Sequence, residues 1–416
     1  MRFRFIIVLI LLLGVLFVGF KLSTEDEKAE VEDSAKPKNP SQIDIIANMY
    51  DEYLQAELDS SNTVGAALAI IKHDTIVLLK PYGLKKQGGI DSVNTETVFR
   101  LASVSKGFAG VLSAKLASEG LICLDDKVIN YLPGLQLKDS VSAADLTLKH
   151  TLNHTSGLVP HAFDNLIEAG QSMEKVFPRL KEVNISAEPG SVYAYQNTVF
   201  SLIDTVVRVK FNKTYQELLR EKIFEPLNMK TASADFESMQ QNSNIAWPHV
   251  RVRGGYVPVK LNKGYYDYSP AAGVNASISD MAKWMKALLG NHREVLDSSV
   301  LNVITSPSVY TPLKRRYTVF WNGIKGRYYS LGWRIYNYHD KNIIYHGGYV
   351  RGYRAEIAFC PDENVGIVFL QNSPNSVASK SIPHFWDIYF EQIKKDTLGT
   401  SEPMVAGVLM GSQKNK

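Results

Sequence analysis

The chain has 416 residues, 45% hydrophobic and 21% charged, which excludes a disordered protein and allows two or three lobes around a sizeable core. Lys plus Arg number 46 against 42 Asp plus Glu, a formal net charge of +4, so no electrostatic case exists for a nucleic-acid partner. Two cysteines, Cys123 and Cys360, exclude a disulfide scaffold and a four-thiolate zinc site. They allow one disulfide at most, and two buried free thiols are the favoured reading.

In chain order, Arg2 and Arg4 precede an unbroken apolar run from Phe5 to Phe20, the pattern of an export segment over residues 1–22. A helix over that run rises only about 24 Å, marginal for spanning a bilayer. Small residues are scarce at its end (Val18-Gly19-Phe20-Lys21), which favours an uncleaved membrane anchor over a cleaved signal. The arginines on the short side then place the rest of the chain in the cell envelope, outside the cytoplasm. Residues 23–40 are charged and lack aromatics, and read as a disordered tether. The folded body is expected over 41–396, followed by a flexible tail over 397–416.

Ile43, Ile46, Tyr50, Leu54 and Leu58 give the body an amphipathic first helix. Val64 to Ile71 and Thr75 to Leu79, across His73-Asp74, read as a β-hairpin. Tyr353 to Phe359 and Val365 to Gln371 read as a second hairpin, with a C-terminal helix around Phe385 to Ile393. The fold class is therefore α/β of the α+β type. An antiparallel sheet built from both termini (about 41–120 and 325–396) is flanked by helices, with a mostly helical lobe inserted over about 121–324.

The chain has no Gly-x-Ser-x-Gly elbow, phosphate loop, Gly-x-Gly-x-x-Gly or His-Glu-x-x-His. His150 and His154 are spaced to share a helix face, but no acid lies between them and His161 follows a Ser-Gly break. Structural histidines are the better reading; no metal and no cofactor is expected. The informative segment is FRLASVSKGFAGVLSAKLASEG. Ser103 lies where a strand-like run gives way to a helix whose apolar face is Phe108, Val111, Leu112 and Leu116, and which stops at Gly120. Ser103 and Lys106, three residues apart, face the same way from the first turn. Backbone N–H groups there can hold an oxyanion, and a half-buried lysine can lose its proton or lower a neighbouring hydroxyl's pKa. A bare Ser-x-x-Lys is weak, since Ser172 to Lys175 is another. Ser103 differs in its company. Of 21 tyrosines only Tyr195 begins a Tyr-x-Asn, and of nine histidines only His346 begins a His-x-Gly.

Ser103-x-x-Lys106, Tyr195-x-Asn197 and His346-Gly347-Gly348, in that order, resemble the serine β-lactamase and penicillin-binding-protein family. The match is closer on the class C side with its D,D-peptidase and esterase relatives. ASEGLICLDDKVINYLP, LTLKHTLNHTSGL and PAAGVNASISDMAKWMKALL agree with it, and the resemblance covers about Ile43 to Phe390. It implies a β-lactamase/D,D-peptidase-like sandwich with Ser103 as acylated nucleophile and Lys106 as its proton-accepting or electrostatic partner. It implies Tyr195 as general base, its pKa lowered by Lys106, and Asn197, His346, Gly347 and Gly348 as substrate-binding residues. The oxyanion hole is expected at the backbone N–H groups of Ser103 and Tyr349. Lys-Thr-Gly is usual where this chain has His346-Gly347-Gly348, and a neutral histidine binds a carboxylate weakly at pH 7. The expectation is an exported or membrane-tethered serine hydrolase acting on a D-amino-acid peptide or ester ahead of a β-lactam. The alternative is a penicillin-binding sensor that acylates with little turnover.

Overall fold

The computed structural model describes residues 40–312 and 318–399. A helix, α1 (Gln42–Ser60), leads into the hairpin β1 (Gly65–Lys72) and β2 (Thr75–Gly83). Short β3 (Val98–Arg100) then feeds α2 (Ser105–Ser118). The middle of the chain holds short helices, the surface hairpin β4 (His249–Val252) and β5 (Gly255–Pro258), β6 (Asn275–Ser277) and α3 (Ile278–Leu288). The remainder is β7 (Val309–Tyr310), β8 (Gly326–Tyr329), β9 (Arg334–Tyr338), β10 (Lys341–Val350), β11 (Tyr353–Cys360), β12 (Val365–Gln371) and α4 (Ser376–Gly399).

Eight strands form one sheet in the order β2-β1-β12-β11-β10-β9-β8-β7. The two expected hairpins meet along β1 and β12, which pair antiparallel from Ala66↔Gln371 to Lys72↔Val365. Every residue of β12 is buried, as are the first seven of β1. That is why these strands read as continuous apolar runs rather than alternating ones. The pleat still sorts side chains between two layers. Ala66, Leu68 and Ile70 join Ile46, Tyr50, Leu54, Phe385 and Trp386 under α1 and α4. Ala67, Ala69 and Ile71 join Phe108, Leu112, Trp284 and Met285 under α2 and α3. The expected α/β sandwich is present.

Helix α2 approaches the sheet more closely than its leucines alone require. A Cβ on Gly110 would lie 1.9 Å from the Leu331 carbonyl oxygen, so backbone meets backbone at the entrance to β9. This contact sets the depth of α2, and hence of the residues that begin it.

Two expectations are corrected or placed. Membrane attachment through an N-terminal apolar helix finds no support: among the described residues no helix is long and apolar enough to cross a membrane. The physical reason is composition, because the long helices α1 and α4 are amphipathic, carry Asp51, Glu57, Asp387 and Glu391, and cover one face of the sheet. Residues 1–39 and 400–416, where the anchor, the tether and most of the tail were expected, lie outside the described residues. Cys123 is exposed and Cys360 buried, both as free thiols; only the second matches the expected burial.

Gly110→Ala should displace α2 or force its backbone contact open. Overpacking of this kind costs about 1–3 kcal/mol, read as a lower urea midpoint than wild type with an unchanged slope. An unchanged midpoint would show that the contact at Leu331 is soft.

Candidate active site

Strand β3 is held by β6 through Val98↔Ser277 and Arg100↔Asn275, so the chain leaves it at a defined place. It then turns sharply: Ala102 takes φ +49, and Ala102–Val104 form a 3₁₀ turn before α2 begins at Ser105. A left-handed non-glycine residue costs about 1–3 kcal/mol, and such strain concentrates at functional sites. Ser103 therefore sits one turn ahead of α2 rather than capping it. The Ser105 hydroxyl accepts a hydrogen bond from the Val274 N–H at 2.9 Å, which fastens the turn from below.

The Tyr195 O–H donates to Ser103 Oγ at 2.9 Å. Lys106 is fully buried. Its ammonium donates to Asn197 Oδ1 at 2.7 Å and to the Ala271 carbonyl at 2.9 Å, and lies 4.7 Å from the Tyr195 ring centroid. Asn197 in turn donates to Asp164 Oδ1 at 3.0 Å, and Asp164 Oδ2 lies 2.8 Å from His161 Nδ1. Two segments distant in sequence thus meet: Ser103 with Lys106 of α2, and Tyr195 with Asn197 at the start of the helix Asn197–Phe200.

Burial governs the proton equilibria. It pulls the Lys106 ammonium well below the ordinary lysine value, partly offset by the Asp164 carboxylate and reinforced by Arg334. It lifts the Tyr195 phenol above its ordinary 10.0, with the Ser103 hydrogen bond and Arg334 opposing. Burial thus opposes the lowering that was expected from Lys106. The ammonium's hydrogen bonds point to Asn197 and Ala271, and desolvation of the phenolate outweighs the remaining attractions.

Ser103, Tyr195, Asn197, Gly347, Gly348 and Tyr349 all line one cavity of about 570 Å³. Strand β10 pairs with β9 only over Lys341–Tyr345 but with β11 over Ile344–Val350, which leaves the edge of Gly347 to Tyr349 open. A Cβ on Gly348 would lie 2.9 Å from the Ser103 nitrogen and 2.3 Å from the Leu101 carbonyl oxygen. The glycine thus lets the open edge approach Ser103, where the oxyanion pair Ser103 and Tyr349 was expected.

His346 does not join them. It is 1% exposed and absent from the cavity lining. Its Nδ1 lies 2.9 Å from the Gly347 carbonyl oxygen, which can only accept, so the proton is on Nδ1. Nε2 then accepts from the Tyr329 O–H at 3.1 Å. Burial holds its pKa well below 6.5, helped by Arg334 and Lys106. The ring expected to bind substrate makes these two internal hydrogen bonds and does not line the cavity. Three arginines do line the cavity, Arg327, Arg334 and Arg354, and of these Arg334, on β9 opposite Tyr345, holds its guanidinium 5.7 Å from the Tyr195 ring. No motif marked Arg334; only the pairing of β9 with β10 brings it to the site.

Of the other candidates, Ser172 precedes the four-residue helix Met173–Val176 and is outside the cavity lining. His150 and His154 do not share a helix face, because that helix ends at Leu152 and His154 takes φ +60.

Residues 50–384 match the family model described as Beta-lactamase. The chain belongs to the beta-lactamase family. It is 23% identical over 344 residues to Protein flp of Staphylococcus aureus strain MRSA252, and 26% identical over 363 residues to Beta-lactamase-like protein 4 of Dictyostelium discoideum. Each match covers 80% of this chain, but only 64% and 61% of those relatives, so the chain spans less than two thirds of their length. Among solved structures, the octameric penicillin-binding protein homologue from Pyrococcus abyssi superposes with a TM-score of 0.72 at 21% identity, covering 84% of this chain and 81% of the other. That likeness establishes the β-lactamase/penicillin-binding-protein-like fold. Family membership supports serine-hydrolase or acylating chemistry.

Lys106 also makes a stability prediction. Its folded pKa lies below 10.5, so between those two values the unfolded chain binds the extra proton and stability falls as pH drops. Wild type should lose stability relative to Lys106→Met as pH falls from about 10.5, seen as diverging urea midpoints. Parallel midpoints across that range would mean that Lys106 is not desolvated.

Proposed function

We propose that this protein is a serine hydrolase that forms an acyl-Ser103 intermediate on a donor carrying a carboxylate beside the scissile bond. A short peptide ending in a D-amino acid is the leading substrate class. The hydrogen bond of 2.9 Å between the Tyr195 hydroxyl and Ser103 Oγ carries this reading, because it supplies a nucleophile with a proton carrier already in contact. Tyr195 need not ionise. As Ser103 Oγ attacks the carbonyl carbon, the hydroxyl pair reverses its hydrogen bond: the serine proton moves to the Tyr195 oxygen while the phenol proton turns to the departing amine or alkoxide and is transferred to it, so Tyr195 is neutral before and after. Deacylation runs the same relay from a water molecule to Ser103. Where donation to the leaving group runs ahead of acceptance from the nucleophile, the phenol oxygen gains transient negative charge, which Lys106, held beside the Tyr195 ring, stabilises. The open edge at Gly347 to Tyr349, together with the Ser103 N–H, offers the donors for the carbonyl oxygen.

Arg334 supports the carboxylate preference. It returns to the cavity a permanent cation that the neutral, buried His346 does not provide, and Arg327 and Arg354 line the same space.

A fluorophosphonate should add one label per chain, on the peptide containing Ser103. Ser103→Ala should abolish labelling and hydrolysis, while Ser172→Ala should change neither; label surviving in Ser103→Ala would overturn the nucleophile assignment. For the substrate class, Arg334→Gln should slow a peptide with a free terminal carboxylate by roughly 10–100-fold, the scale of a hydrogen bond to a charged group. The same peptide as its terminal amide should be unaffected. Equal losses on acid and amide would remove Arg334 from substrate recognition.

A further inference from the structure

His154 is 1% exposed and, at φ +60, holds a backbone conformation that non-glycine residues rarely adopt. It touches the segment carrying Tyr195 at three points. Its carbonyl accepts the Ala194 N–H at 2.7 Å, and its Nδ1 accepts the Gln196 N–H at 3.2 Å. Its ring centroid lies 4.3 Å from that of Tyr195, tilted by 40°. Ala194 and Gln196 flank Tyr195, so one residue brackets the backbone on both sides of the phenol and backs its ring as well. The left-handed backbone lets the carbonyl and the ring of His154 face the same short segment.

The hydrogen bonds settle the tautomer. A ring nitrogen that accepts from an amide is unprotonated, so the neutral ring carries its proton on Nε2. Among the described residues Nε2 has no hydrogen-bond partner and is buried. The rings of Tyr193, Phe200 and Tyr329 enclose the imidazole, at 5.8, 5.2 and 4.9 Å between centroids. Burial first, then the neighbouring charges of Lys106 and Arg334, hold the imidazole pKa well below 6.5. Nδ1 therefore stays an acceptor at neutral pH. A strained backbone and an unbonded buried N–H both cost stability, and here they fall on one residue beside the reacting pair.

We infer that His154 is a positioning residue for Tyr195: as a neutral Nε2–H imidazole it fixes the turn through Ala194 to Gln196 and holds the phenol oxygen on Ser103. The inference rests on Ser103 as nucleophile and Tyr195 as its proton carrier. His154 is absent from the cavity lining, so it acts through Tyr195 and not on substrate.

Two variants of the whole protein separate positioning from packing. His154→Asn keeps an acceptor near the place of Nδ1 and tolerates a left-handed backbone. His154→Leu keeps apolar bulk without the acceptor. On a good ester, His154→Leu should lower kcat by roughly 10–100-fold, the scale of a displaced catalytic group. KM should stay within about twofold, because the cavity lining is untouched, and His154→Asn should recover most of kcat. Nitrogen NMR of wild type at pH 7 should show Nδ1 unprotonated and Nε2 protonated. An imidazolium or the opposite tautomer would overturn the inference, as would wild-type kcat in a folded His154→Leu or equal losses in both variants. Should His154→Leu not fold, the NMR tautomer and the kcat of His154→Asn decide. Failure of wild type to label at Ser103 would instead strike the nucleophile reading, and the tautomer measurement does not depend on it.

Discussion

The site is organised around an ammonium group taken out of water. Lys106 is fully buried, and an isolated buried charge is too costly to persist without partners. Its partners come from far along the chain: Asn197, the Ala271 carbonyl, and Asp164 reached through Asn197. Satisfying this one group draws together α2, the helix at Asn197 and the short helix Ser269–Ala272 that carries Ala271. Tyr195 is carried into contact with Ser103 by the same convergence, since it stands two residues before Asn197. The depth at which Lys106 is held follows from the glycine contact of α2 with Leu331.

The sheet supplies the second fixed reference. Because β1 pairs with β12, the two ends of the folded body close on each other, and α1 and α4 cover the resulting face. The opposite face takes α2, so the turn bearing Ser103 rests against the sheet at β10 and β11. On that support β10 leaves its partner β9 after Tyr345, and the freed edge passes beside the Ser103 nitrogen. A rigid sheet, a strained turn at Ala102 and a frayed strand edge together define the open space in front of the hydroxyl.

Charge inside that space differs from what the motifs alone suggest. His346 occupies the position where a lysine was the usual expectation, yet it faces inward and bonds Tyr329 and Gly347. The cationic character of the cavity comes instead from arginines on neighbouring strands, with Arg334 beside Tyr195. Tyr195 likewise departs from the expectation of an easily ionised phenol, because burial raises its pKa more than nearby cations lower it. A neutral relay between serine, tyrosine and leaving group accommodates both facts.

Much of this was legible in the chain. The amphipathic spacing from Ile43 to Leu58, the apolar runs either side of His73-Asp74 and Pro361 to Asn364, and the triplet Ser103, Tyr195 and His346 each depend on neighbours in sequence, or on residue types scarce enough to be noticed. Side-chain periodicity is a local property, so it survives without knowledge of the fold. Orientation and protonation were not legible. Whether His346 points at substrate or at Tyr329 depends on which face of β10 is covered. Whether Arg334 reaches the cavity depends on the register of β9 against β10. His154 gained its place beside Tyr195 only because a left-handed backbone turns it there. Desolvation is set by every element packed around a group, so the pKa values of Lys106, Tyr195 and His346 belong to the assembled fold and to no segment of the chain.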